Sequence, residues 1–170
     1  MITEELAEFI QSGVSIQLGT RDARLVPDCV RLVGARVERG GGEVTVFLPR
    51  GTGAKSLANL KDNGRIAVCF SRPADHRSIQ LKGRAVSLED ALPADRPIVD
   101  RYRAALADVL SVLGVPPRTL LRIGHWPCTA ARFQVESVFV QTPGPGAGDR
   151  LRPSAQEKQD GTTGAKGGRP

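Results

Sequence analysis

Apolar and polar residues alternate with a period of two along most of this chain, and give way to helical spacing in only a few stretches. The first helical stretch covers residues 3–11, with Leu6, Phe9 and Ile10 spaced for one face behind Thr3. Glu4 and Glu5 fall in its first turn, where a hydroxyl cap and carboxylates favour a helix start. Ser12-Gly13 ends it. Val14-Ser15-Ile16-Gln17-Leu18 then alternates as a half-buried strand does, and Arg21-Asp22 supplies a turn. Residues 25–38 read as one long strand with a kink, because Pro27 has no ladder donor and Gly34 marks a bulge or a close backbone approach. After the turn at Arg39-Gly40-Gly41-Gly42, the run EVTVFL at residues 43–48 is rich in β-branched residues and predicts a third strand.

Residues 50–56 lead into Leu57-Ala58-Asn59-Leu60, a helix of about three turns that Asn63-Gly64 should stop. RIAVCFS at 65–71 and SIQLKGRAVSL at 78–88 are two further strands. Pro97 suits a first helical position, and Ile98, Tyr102, Ala105, Leu106, Val109 and Leu113 form an apolar stripe before Gly114. A short helical turn is expected over 118–123, and residues 129–141 (TAARFQVESVFVQ) alternate again as a sixth strand. Six strands, a short helix after the third and a longer one before the last predict a small antiparallel barrel in a single domain, residues 1–145. Residues 146–170 have almost no large apolar side chain and much Gly, Pro, Lys and Gln, which predicts a disordered tail.

Composition narrows the function classes. The formal charge of +6 comes from arginines scattered in ones and twos, with no long basic run, so an anionic small ligand accounts for it as well as a polyanion does. Aromatics make up only 4%, which leaves few stacking platforms for single-stranded nucleic acid. No nucleic-acid partner is expected. The N-terminus MITEELAEFI lacks a basic region and a long apolar stretch, and no later segment is long enough to span a bilayer, so the expected place is the cytoplasm with no membrane partner. Cys29, Cys69 and Cys128 are odd in number and far apart, which argues against a disulfide framework or a zinc site.

Candidate chemistry concentrates at residues 49–56, where a Gly-rich loop between a strand and a helix start could converge backbone N–H groups on an anion, with Arg50, Thr52 and Lys55 adding donors. A plain solvated turn before a capped helix remains the other reading. Ala54 separates Gly53 from Lys55, so this is not a nucleoside-triphosphate loop. Gly144-Pro145-Gly146-Ala147-Gly148 has no βαβ unit behind it and is not a dinucleotide fingerprint. His76 and His125 stand too far apart for a metal helix, and His125, beside Trp126, is the better candidate for touching a ligand. In the strand at 78–88, Ser78, Gln80 and Lys82 share the face opposite Ile79 and Leu81, a face that is either wet or lines a pocket. Glu89, Asp90 and Asp95 fall in helix-start loops and form no acid/base pair.

VTVFLP followed by Lys55, Asn59 and Leu60, then DNGRIAVCFS, SIQLKGRAV and VFVQTPGPGAG, resembles the pyridoxamine 5′-phosphate oxidase-like, FMN-binding split-barrel family from about Leu6 to Gly148. The resemblance implies a mainly β (α+β) fold, a six-stranded antiparallel split β-barrel of Greek-key type with flanking helices. It also implies a homodimer with FMN in the interface clefts, acting as an oxidoreductase on a small-molecule substrate or electron donor. Carried over by position, Thr52, Lys55 and Ser56 would hold the cofactor phosphate, with Arg50 of the same loop beside them, Arg77, Gln80 and, more weakly, Lys82 would approach the flavin, and Arg31 and Gln141 complete the set. No side chain is required as an acid or base, since the flavin carries the redox chemistry. The last strand lacks the histidine of the Arg-x-His that grips substrate in true pyridoxamine phosphate oxidases, which speaks against oxidation of the vitamin itself. A non-catalytic flavin- or haem-holding protein on the same barrel, with His76 or His125 as axial ligand, is the alternative.

Overall fold

The structure, a computed structural model, describes residues 2–151. Helix α1 (Glu4–Ile10) starts where Thr3 Oγ1 accepts a hydrogen bond from the Leu6 N–H, and it buries Phe9 and Ile10. Strands β1 (Ser15–Arg21) and β2 (Pro27–Arg31) form a hairpin, and β3 (Ala35–Val37) pairs with β4 (Glu43–Pro49). Helix α2 (Ala54–Asn63) ends at Gly64, whose left-handed φ of 66° and N–H bond to the Leu60 carbonyl fit the stop expected there. Strand β5 (Arg65–Ser71) and the long β6 (Ser78–Asp90) follow, then α3 (Arg96–Val112), α4 (Pro117–Leu121), β7 (Cys128–Val140) and β8 (Arg150–Leu151). No helix of the described residues is long and apolar enough to cross a membrane.

The stretch 25–38, expected as one kinked strand, is two. Strand order in the antiparallel sheet runs β2-β1-β5-β6-β7-β4-β3, with β8 on β7, so β2 and β3 lie at opposite edges of the path. The chain crosses between those edges at Leu32, Val33 and Gly34. The Leu32 N–H bonds to the Ile16 carbonyl of β1, while Val33 bonds to Phe47 of β4. Gly34 has φ 150°, and an added Cβ would lie 3.3 Å from the Phe47 ring, which is the close approach the sequence foreshadowed. The sheet is therefore open in its ladders, and the crossing backbone spans the split. This is a split-barrel α+β fold.

The barrel interior takes the inward side chains of each strand: Ile16 and Leu18, Val44 and Val46, Val68 and Phe70, Leu81, and Ala131 with Phe133. Burying one such phenylalanine or leucine stabilises by about 1.5–3 kcal/mol. Helix α3 contributes Val99, Tyr102 and Leu106, a stripe one residue off the expected one at its start; Leu113 lies past the helix end and is exposed. Strand β6 extends through Glu89 and Asp90, which pair with Ala130 and Thr129 rather than opening a helix. The sheet also takes in Arg150 and Leu151, which lie in the stretch expected as tail from Gly146; the Gly148 N–H bonds to the Val140 carbonyl on the way. The rest of that expected tail, 152–170, lies outside the described residues.

Candidate functional site

At one end of the barrel, α2 lies over the ends of β1 and β2. Thr20 and Asp28 are cross-strand partners on the inward side of that hairpin, and Ser56 and Asn59 are buried from α2 above them. The polar side chains form a directed chain. Asn59 Nδ2 donates to Thr20 Oγ1 at 3.0 Å, Thr20 Oγ1 lies 3.5 Å from Ser56 Oγ, and Ser56 Oγ donates to Asp28 Oδ2 at 2.6 Å. Lys55 Nζ lies 3.8 Å from Asp28 Oδ1 and 3.5 Å from the Pro27 carbonyl. Two of the residues expected to hold a phosphate, Lys55 and Ser56, are thus brought together with a carboxylate between them. Thr52 is exposed in the preceding loop. Arg50 pairs with Asp90, and lines a separate cavity of about 310 Å³ with Leu48, Leu57 and Leu88.

At the other end of β1 lies a cavity of about 370 Å³ lined by Ser15, Arg31, Ser71, Arg72, His76, Ser78, Leu106, Leu110 and Gln141, among others. Its polar wall is built by pairing: Ser15 faces Ser71, Ser71 faces Ser78, and the Gln141 N–H bonds to the Ser78 carbonyl at 2.8 Å. Thr142 Oγ1 accepts from the Ser78 N–H at 2.9 Å, which pins the QTP segment to the start of β6. Arg72 is held by Asp75 at 3.0 Å. Arg31 differs: its Nη1 reaches Ser15 Oγ at 3.2 Å, and no carboxylate among the described residues stands within ion-pair distance. Behind it, the buried Tyr102 hydroxyl lies near the Arg31 guanidinium and the Ile16 backbone without reaching full hydrogen-bond geometry to either. Burial pushes that phenol up to about 12, with the nearby Arg31 guanidinium offsetting part of the rise. A cation with no carboxylate partner among the described residues, walled by serines and floored by Leu106 and Leu110, suits a polar-edged apolar ring or a small anion.

The remaining expected residues lie elsewhere. Arg77 reaches Glu5 at 2.8 Å and stacks 4.8 Å over the Phe9 ring, so it ties β6 to α1. Gln80 and Lys82 lie on the outer face of β6, with Lys82 4.7 Å over the Phe139 ring. Of the histidines it is His76 that lines the Arg31 cavity; His125, the better candidate from sequence, is taken by Arg103 at 3.1 Å and Asp100 at 3.8 Å. Cys128 is buried and donates to the His125 carbonyl, and burial pushes its thiol up to about 11, which makes it a poor nucleophile. No cluster of metal ligands occurs among the described residues. The sequence pattern places Ser78 on a face that could line a pocket, as it does here, whereas sequence reading missed Asp28, Ser15 and Tyr102 as site residues. Asp28 had a signal: the alternation of β2 puts it on the inward side with Val30, where a carboxylate needs a partner.

A split barrel with a cavity at one end of β1 and a helix-capped polar cluster at the other defines the class of fold. A family model described as pyridoxamine 5′-phosphate oxidase matches residues 2–124, and the chain belongs to that family. Solved structures agree in fold. HupZ from Group A Streptococcus is 21% identical, with 87% of this chain and 100% of that one covered at a TM-score of 0.55. An F420 reductase is 13% identical over 81% of this chain and 98% of its own, at a TM-score of 0.54. No curated protein matches the chain in sequence.

Proposed function

We propose that this protein binds a flavin-type cofactor in the Arg31 cavity and serves as a flavin-dependent oxidoreductase, working as a homodimer. The observation that carries the reading is Arg31, a cation with no carboxylate partner among the described residues, in the wall of a cavity of ligand size. Membership of the family supports it. The residues present fit a flavin ring at this end: Arg31 and Gln141 offer polar contacts to its heteroatom edge, the serines add hydroxyls, and Leu106 and Leu110 exclude water from an apolar edge. A bound flavin would supply hydride or single-electron transfer, and the chain's part is to bind, orient and shield it. Neither a side-chain acid nor a base is needed for that role.

FMN and riboflavin titrations followed by flavin fluorescence quenching test the reading. Tight binding that falls at least about tenfold in Arg31→Ala is expected, and protein that quenches neither flavin overturns it. A second reading rests on His76, which lines the same cavity. A haem-holding protein would give a Soret band on haem addition that shifts or vanishes in His76→Ala, with no flavin quenching.

A further inference from the structure

We infer that Asp28 is a resident anion in the α2 cradle and makes this protein select against a phosphomonoester there, so that a cofactor is held by its ring at the Arg31 cavity and gains nothing from a phosphate at α2. The inference deepens the flavin reading and rests on it for the identity of the ligand. The first turn of α2 carries no acidic residue of its own, and its N-terminal Gly53 has no side-chain cap. A helix start in that condition attracts negative charge. Here the charge comes from β2: the Asp28 carboxylate meets Lys55 at 3.8 Å and Ser56 at 2.6 Å, the second and third residues of the helix.

Three features make this occupancy part of the build. The Ser56 hydroxyl has one proton and gives it to Asp28, so it has none left for a phosphate oxygen. The donors behind it point the same way, Asn59 to Thr20 and Thr20 to Ser56, all converging on the carboxylate. The Asp28 backbone is fixed by its ladder pairing with Thr20, and its side chain is only 22% exposed, so the carboxylate cannot leave by a small shift of strand. A phosphate dianion brought to Lys55 would meet that carboxylate as a like charge, and would find the lysine charge already matched.

Flavin titrations of the full chain separate ring binding from phosphate binding, since riboflavin and FMN differ only in the phosphate. Wild-type protein is expected to bind the two within about threefold of each other. Asp28→Asn, which keeps the shape and an acceptor for Ser56 while removing the charge, is expected to tighten FMN at least about tenfold and leave riboflavin unchanged. Adding Lys55→Ala to that variant should cancel the gain. Thermal melts of each variant confirm folding, and Asp28→Ser is the second route should the asparagine variant melt early.

An FMN-to-riboflavin ratio that Asp28→Asn does not move overturns the inference and leaves the flavin reading standing. So does a wild-type preference for FMN of tenfold or more that disappears in Lys55→Ala. Should neither flavin bind any variant, the flavin reading fails. Titration with inorganic phosphate followed by phosphorus NMR then decides the inference: binding gained by Asp28→Asn upholds it, and equal behaviour of the two proteins overturns it.

Discussion

Tyr102 carries its hydroxyl into the core beside the Arg31 guanidinium and the Ile16 backbone but without full hydrogen-bond geometry to either, and an unsatisfied buried polar group costs about 1–3 kcal/mol. Burial raises its pKa from 10.0 to about 12, so the fold favours the neutral phenol. Stability from this group is therefore whole below pH 10, and is lost as the pH rises from 10 towards 12. Tyr102→Phe removes both effects. In urea melts it is expected to raise the unfolding free energy by about 1 kcal/mol at pH 7 and to flatten the decline above pH 10. A less stable variant would mean that the hydroxyl is bonded in solution. Residue-level chemistry was legible in part. Arg31 and Gln141 share a cavity, while Arg77, expected from the resemblance, and Arg50, expected from the Gly-rich loop, are spent on Glu5 and Asp90. Nothing in local sequence distinguishes a free arginine from a paired one, because the partner of Arg77 lies 72 positions away.

Strand β6 shows what alternation can and cannot announce. Its run of inward and outward residues was readable, but its register against β7 shifts between Lys82 and Gly83, and the reason lies in the partner strand. A Cβ on Gly83 would collide with the Gln134 carbonyl, which is backbone and cannot rotate away. Gly83→Ala should destabilise the fold by about 3 kcal/mol. Gly19→Ala, whose new Cβ would sit 3.7 Å from the Ala67 carbonyl, should stay within about 0.5 kcal/mol of wild type. Urea melts of the pair check the contrast; equal costs would place the bulge elsewhere. The same limit explains the stretch at 25–38. Both of its halves alternate, so the sequence joins them, whereas the chain leaves β1 for β4 at Gly34. Strand β8, two residues beyond a Gly-rich turn, is too short to carry any period.

The outer face of the sheet runs as two cross-strand rows. One passes from Arg31 through Gln17, Cys69, Gln80 and Phe139 to Arg150, and the other from Cys29 through Gly19, Ala67 and Lys82 to Ser137. Gly19, Ala67 and Cys69 leave the middle flat and half-exposed, with Phe139 beside it. A flat, weakly polar centre with cations towards its margins suits association with a second copy through a self-complementary patch. The Arg31 end of the cavity lies at the border of this face, so the proposed homodimer would also wall the proposed cofactor site. Sedimentation is expected to give twice the 18.1 kDa chain mass for wild type. Ala67→Glu, which sets two like charges into a desolvated centre, is expected to give monomer and to weaken flavin binding with Arg31 untouched. Monomer in the wild type would overturn the homodimer, and an Ala67→Glu protein that still dimerises would move the interface off this face.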